Sequence, residues 1–273
     1  MSLIQPLGRW MATDADGYLV NECAWERIQA PWHDLVSDLR HACINQWGDR
    51  LHSLYLRGSV PRGLAIPEVS DLDSIAIFGD QPASTVAVAI ESLQTELTQR
   101  YRFCPKVEVA LLSLADLRSP ESPWQAIVQT QGLCIYGEDL RSQLPRFKPG
   151  RALISHAFDL AADLAETQAF LRQLPDDYPP HDTRIKARCR WITRRMVRTG
   201  FELVMTTEGT FTRDLYPCYV SFSRYFPAQE LLMRKALELA IQPSSNRVGL
   251  LMFLSHFGTW LVETVESTFP LVA

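Results

Sequence analysis

The sequence predicts two unlike domains: an α/β (α+β) domain with a mixed sheet over residues 1–145, followed by an all-α helical bundle over residues 150–273. Three observations predict this. Strand-like and helix-like apolar patterns alternate as far as Leu140, residues 144–150 (LPRFKPG) have the composition of a linker, and only helical spacing follows. At 273 residues and 47% apolar content the chain can bury a proper core in one large domain or two modest ones.

The first domain can be justified element by element. Asp14, Ala15, Asp16 and Gly17 signal a turn, with Tyr18, Leu19 and Val20 as a short strand after it, so the first twenty residues read as a small hairpin. Residues 24–47 place Trp25, Ile28, Trp32, Leu35, Val36, Leu39, Cys43 and Trp47 at helical spacing, and the tryptophans are expected in the core. Pro31 falls inside that stretch, so the helix starts or kinks there. Leu54, Tyr55 and Leu56 form a strand that stops at Gly58; Leu72, Ile75, Ile77 and Phe78 form a second. Residues 85–101 read as a helix with Val86, Ile90, Leu93 and Leu97 on one face. A strand over residues 106–112, a short helix over 124–130 and a last strand over 133–136 complete the domain.

Helices are expected in the second domain over residues 152–174 and 183–207, from a Thr212 cap to about 225, from Pro227 to about 241, and from an Asn246 cap to about 269. In the first of these, Leu153, Phe158, Leu160, Leu164 and Leu171 are among the apolar positions. Together these helices make a bundle.

Chemistry concentrates in residues 54–78. Asp71 and Asp73 are two apart, so on a strand they share a face. Like charges so placed face water, bind a cation between them, or share a proton. Oxygen-only ligands favour a hard cation, Mg²⁺ before Zn²⁺. Glu108 is the sole acid of its strand-like run and has a valine on each side, so its carboxylate needs water at a sheet edge, a partner or a metal.

Apolar-Gly58-Ser59, a loop of about ten residues, then Ser70-Asp71-x-Asp73 and a later strand acid, Glu108, form a pattern that resembles the nucleotidyltransferase superfamily containing DNA polymerase β, in particular its small bacterial and aminoglycoside-type members. Tyr136-Gly137-Glu138-Asp139-Leu140 is similar to the segment closing the catalytic domain in aminoglycoside-type members, and a helical bundle beside the sheet is similar too. The resemblance implies Mg²⁺-dependent transfer of a nucleoside monophosphate, most often AMP from ATP, to an acceptor hydroxyl, with release of pyrophosphate. Asp71, Asp73 and Glu108 would hold two Mg²⁺ ions, Glu108 alternatively serving as general base. Gly58, Ser59 and Ser70 would lie at the nucleotide, the Gly-Ser turn approaching its phosphates. The implied acceptor is a small hydroxylated molecule of aminoglycoside type, a protein hydroxyl or an RNA end. Glu138, Asp139, Asp177, Glu208 and Asp214 are acids that can favour a cationic acceptor. The alternative is a regulatory or antitoxin-like protein of the same fold that modifies or binds a protein or RNA partner.

A basic stripe runs along the helix of residues 183–207. Lys186, Arg190, Arg194 and Arg198 recur every four residues, and Arg184, Arg188 and Arg195 add to it. Such a stripe wants anions. Asp159, Asp163 and Glu166 can supply them, or Lys186 first among the stripe can reach the triphosphate across a cleft between the domains. Arg57 and Arg62 flank the Gly-Ser turn and can touch phosphate or face water, Arg62 being expected in water. Arg151 and His156 have the Arg-x4-His spacing of a helical RNase family, but at the opening of the first bundle helix, where that motif is not expected.

Composition narrows the classes. Net charge −4 and a pI near 5.9 argue against a general nucleic-acid binder. The six cysteines form no Cys-x-x-Cys motif and read as free thiols of a reducing cytoplasm. The start MSLIQPLGRW is not a signal peptide, and no apolar run is expected to reach the roughly 20 residues of a membrane span.

Overall fold

In a computed structural model, residues 4–175 and 181–270 are described. They form two compact units, residues 12–148 and residues 4–11 together with 149–270.

The first unit is built on a four-stranded mixed sheet. After a one-turn 3-10 helix, Trp25–Arg27, helix α1 spans Trp32–Trp47, directly behind Pro31. The apolar pattern of residues 24–47 is therefore split: Trp32 and Trp47 are buried, whereas Trp25 is exposed. Strands β1 (Leu51–Arg57) and β2 (Leu72–Phe78) pair antiparallel. Helix α2 (Ser84–Arg100) carries the chain over to β3 (Val107–Ser113), which lies parallel to β2, as a helical crossover allows. Helices α3 (Leu114–Arg118) and α4 (Pro123–Gln131) lead to β4 (Leu133–Gly137), antiparallel to β1, and the sheet order is β3-β2-β1-β4. The hairpin expected near the N-terminus is a single bridge, Thr13 to Leu19.

Each face of the sheet has its own core. Leu54, Leu56, Leu72, Ala76, Val107 and Val109 pack with α1 and α2, the expected Val86, Ile90, Leu93 and Leu97 among them. Tyr55, Ile75, Ile77 and Leu112 pack with Leu117 of α3 and Val128 of α4. Helix α3 was not foreseen. Its signal is Ser113-x-x-Asp116: Asp116 N–H donates to Ser113 Oγ (3.0 Å), and the Asp116 carboxylate accepts the Ser113 N–H in return.

The segment from Gly137 closes the sheet onto β1. Gly137 has φ +79°, and a Cβ there would stand 2.0 Å from the His52 carbonyl oxygen, so only glycine fits. Ser53 Oγ donates to the Glu138 carbonyl (2.6 Å), and Leu140 N–H donates to the Tyr55 hydroxyl (2.6 Å).

The second unit contains α5 (His156–Gln173), α6 (His181–Glu208), α7 (Leu215–Tyr225), α8 (Glu230–Ile241), α9 (Arg247–Phe253) and α10 (Thr259–Thr268), the last two joined by a π-helical turn, Leu254–Gly258. Asn246 caps α9 as expected, accepting from Gly249 N–H at 2.9 Å. The cap of α7 is Asp214 rather than Thr212, whose hydroxyl accepts the Asp214 N–H and donates to the Arg9 carbonyl. Residues Arg247–Thr268 are long and apolar enough, by length and composition, to cross a bilayer, which corrects the expectation that no run approaches that length. Their buried positions, Leu250, Leu254, Phe257, Leu261 and Val265, fall on one stripe, the pattern of a helix packed on its neighbours.

Candidate active site

The site is assembled by strand register. Arg57 on β1 pairs with Asp73 on β2, and Asp73 pairs with Glu108 on β3. Residues directly opposite across strands share a face, so the three make one charged row across the sheet. Two residues further along each strand, Tyr55, Ile75 and Ala110 belong to the core beneath α3 and α4. The charged row is thus the continuation of an apolar surface past its cover. Asp73 and Glu108 are half-buried there, their side chains 28% and 37% exposed.

Glu108 sits on the edge strand, and α2 holds that edge in place. The Val107 N–H donates to Thr98 Oγ1 (3.1 Å) and the Val109 N–H to Gln94 Oε1 (2.6 Å). On the inner side Ser74 Oγ donates to the Glu108 carbonyl (2.8 Å). With its neighbours buried against α2, Glu108 can only project from the opposite face.

The loop between β1 and β2 is equally constrained. Gly58 has φ +83°, and a Cβ there would lie 2.7 Å from Asp73 Oδ2. The backbone thus comes against the carboxylate in a way no other residue allows. Ser59, half-buried, accepts the Leu64 N–H on its carbonyl (3.0 Å). Ser70 Oγ accepts the Ile66 N–H (2.9 Å), closing the turn that delivers Asp71. Asp71 precedes the strand rather than lying on it, so its kinship of face with Asp73 is not enforced by pairing. Both acids nonetheless act on one neighbour, the buried Cys104. Burial raises that thiol first, and the charges of Asp71 and Asp73 raise it further, against hydrogen bonds with the Leu72 and Lys106 backbone.

The partner that Glu108 needs is supplied by the protein. Lys106, two residues earlier, reaches its Oε2, and Arg57 Nη2 lies 3.5 Å from its Oε1. Burial alone would raise the Glu108 carboxyl, but Lys106 and then Arg57 outweigh it and hold it below the ordinary glutamate value. Arg57 Nη2 is also 3.4 Å from Asp73 Oδ1, and its guanidinium stands 6.0 Å from the centre of the Trp124 ring on α4. Lys106 and Trp124 were missed; the i, i+2 spacing of Lys106 and Glu108 on a strand was the available signal. Arg62, expected in water, is nearly buried beside Glu22 (3.9 Å).

The donor set suits a hard divalent cation, being carboxylate oxygen throughout and half-buried. Among the described residues, however, no three His, Cys, Asp or Glu side chains stand together as a ready ligand cluster. The protein's own cations are interposed at Asp73 and Glu108.

On the helical unit, the basic residues of α6 separate. Arg195 pairs with Asp163 and, at 3.1 Å, with Asp159; Arg188 pairs with Glu166 at 3.0 Å. Arg184 and Arg188 lie over the Phe170 ring, and Arg188 and Arg195 over Trp191. This side of the stripe is neutralised within the unit, as its acids allowed. Lys186 and Arg190 are exposed. His156, of the Arg-x4-His spacing, is buried and accepts from Arg213 on Nε2 (3.2 Å), while Arg151 stacks on Phe158. Of the acids considered for a cationic acceptor, Asp139 is engaged by Arg141 (2.6 Å), Glu138 by His52 (3.4 Å), Glu208 by Arg224 (2.7 Å), and Asp214 accepts from Arg9 N–H (3.0 Å); Asp177 lies outside the described residues. All six cysteines are free.

Neither family models nor curated proteins match the chain. Among solved structures, one that matches is the crystal structure of spectinomycin adenyltransferase AAD(9) from Enterococcus faecialis with ATP and spectinomycin. It is 12% identical, with a TM-score of 0.47 over 84% of this chain and 98% of that one.

Proposed function

We propose that the chain is a Mg²⁺-dependent nucleotidyltransferase that moves AMP from ATP to a hydroxyl of a small acceptor of aminoglycoside type. The observation that carries this reading is the register row: Asp73 and Glu108 side by side on parallel strands, with the Gly58 backbone against Asp73 and Asp71 immediately before the strand.

Asp71, Asp73 and Glu108 would hold the divalent ions. Ions bound there supply neutralisation of the triphosphate and a lowered pKa for the attacking hydroxyl. The Gly58-Ser59 turn offers backbone amides and a hydroxyl to phosphate oxygens, and Ser70 fixes the loop that presents Asp71. The acceptor oxygen bonds to the α-phosphorus, the bond from that phosphorus to the α,β-bridging oxygen breaks, and pyrophosphate leaves with the electron pair. The hydroxyl proton passes to solvent or to Glu108. A carboxyl held below its ordinary value is a weak base, so ligation suits Glu108 better than proton abstraction. Lys186 joins this reading as a contact to the triphosphate.

The test is transfer of α-labelled nucleotide to aminoglycosides, RNA and protein in the presence of Mg²⁺. Transfer to the small acceptor is expected, falling about 100- to 1000-fold in Asp71→Asn and Asp73→Asn, since several kcal/mol of charge stabilisation are removed. Lys186→Ala should raise the KM for ATP. Label in RNA or protein instead would move the reading to a macromolecular acceptor. No pyrophosphate with any acceptor, together with no metal-dependent binding of triphosphate, would defeat it.

A further inference from the structure

Arg57 is the under-satisfied member of the row. Its Nη2 is shared between Asp73 and Glu108 at 3.4 and 3.5 Å, beyond the range of good hydrogen bonds. Its Nε is buried with no acceptor. A guanidinium commands five N–H donors and normally meets a carboxylate as a two-pronged fork. Here it forks with neither acid, although two flank it. What it supplies is positive charge between two negative ones, in a half-buried place where they would otherwise repel. It does so from the position immediately before the Gly58-Ser59 turn.

We infer that Arg57 is an exchangeable counter-cation: it holds Asp73 and Glu108 until a divalent ion takes them, and the released guanidinium then binds a phosphate of the nucleotide. The inference rests on the nucleotidyl-transfer reading. The chemistry favours the exchange in both directions. A divalent ion bonds the carboxylate oxygens directly, where Arg57 only neutralises them at a distance. Phosphate oxygens, for their part, offer the guanidinium the forked acceptor it lacks. Lys106 remains on Glu108 as the smaller, more exposed partner, 61% exposed. Arg57 is therefore the gate on metal entry, and its side chain links metal loading to nucleotide affinity.

The experiment compares wild type, Arg57→Met and Arg57→Lys in two binding measurements. Mn²⁺ binding without nucleotide is followed by the electron-paramagnetic signal of the free ion. Nucleotide binding at saturating Mg²⁺ is followed by calorimetry with a non-hydrolysable ATP analogue. Arg57→Met should bind Mn²⁺ at least about threefold more tightly than wild type, because a competing charge is gone. It should bind the nucleotide about tenfold or more weakly, the loss of a charge-assisted hydrogen bond. Arg57→Lys should bind Mn²⁺ like wild type and fall between on nucleotide. Should Arg57→Met not fold, the unmodified protein still decides: the ¹⁵Nε signal of Arg57 must shift on adding Mg²⁺ alone and again on adding the ATP analogue. Tighter Mn²⁺ binding in Arg57→Met with nucleotide affinity unchanged overturns the phosphate role. Wild type that binds Mn²⁺ as tightly as Arg57→Met or more tightly, or an unmoved Nε signal, overturns the exchange while leaving the nucleotidyl-transfer reading standing. Binding of Mn²⁺ by none of the three overturns both.

Discussion

Two glutamates on the two units, Glu108 and Glu202, meet positive charge in opposite ways. Glu108 is half-exposed, and side-chain cations hold it. Glu202, on α6, is buried and accepts three backbone N–H groups from the start of α5: Ser155 (3.2 Å), His156 (3.2 Å) and Ala157 (2.7 Å). Ser155 makes no side-chain cap there, so Glu202 satisfies the orphan amides of α5 from another helix, at the positive end of its dipole. Side-chain cations can swing away when a better partner arrives, whereas backbone amides cannot. Glu108 is therefore the acid available to a ligand, and Glu202 is part of the frame.

The comparison breaks first at Glu202. Removing its carboxyl leaves three N–H groups at the start of α5, those of His156 and Ala157 buried, without an acceptor. Glu202→Ala should cost about 3–5 kcal/mol, since each buried N–H left unsatisfied costs about 1–3 kcal/mol. Urea unfolding would measure it. A cost within about 1 kcal/mol would mean that water satisfies the α5 terminus and that Glu202 is dispensable.

The same cluster gives a pH dependence of next size. His156 beside Glu202 is held neutral, by burial first and then by Arg213, Arg198 and Arg195, so its folded pKa lies far below the ordinary value. The unfolded chain then binds the extra proton, and stability falls as pH drops below about 6.5, by up to about 1.4 kcal/mol per unit. Glu202 has the opposite sign: burial raises its folded value, so the stability it contributes is full below the ordinary glutamate range and is lost as pH rises through that folded value. Glu108, depressed, contributes stability above the ordinary glutamate value that is lost as pH falls through its lower folded one. Of these three groups, only His156 costs stability as pH falls from about 7.5 to about 5.5. His156→Gln should flatten the urea midpoint over that interval relative to wild type, and an unchanged slope would contradict the assignment.

These two clusters also show what a sequence yields. The acids of the sheet were legible because strand alternation and a turn glycine put Asp71, Asp73 and Glu108 in a recognisable order. Their partners are less so: the sequence leaves Arg57 able to face phosphate or water, since its neighbour across the sheet depends on register. The basic stripe of α6 was visible, but its division into an acid-matched side and an exposed side needed the packing of α5. Glu202 was missed entirely. An acid at an apolar helical position, Phe201-Glu202-Leu203, was its signal, and its meaning lies in amides 45–47 residues earlier.

The finest test of the comparison is Lys106. Its side chain is 61% exposed and that of its partner Glu108 37% exposed, so water screens the pair. Exposed ion pairs are worth about 0–1 kcal/mol. Lys106→Met should therefore change stability by less than about 1 kcal/mol. It should also let the Glu108 carboxyl rise toward its ordinary value, because burial, which pushes it up, would then be opposed by Arg57 alone. Both effects can be read from one sample, stability from urea unfolding and the carboxyl from its ¹³C shift during an acid titration. A stability loss approaching that of Glu202→Ala would make the sheet row as much a part of the frame as the α5 cap. A small loss with a raised Glu108 keeps it as a set of acids held ready by movable charge.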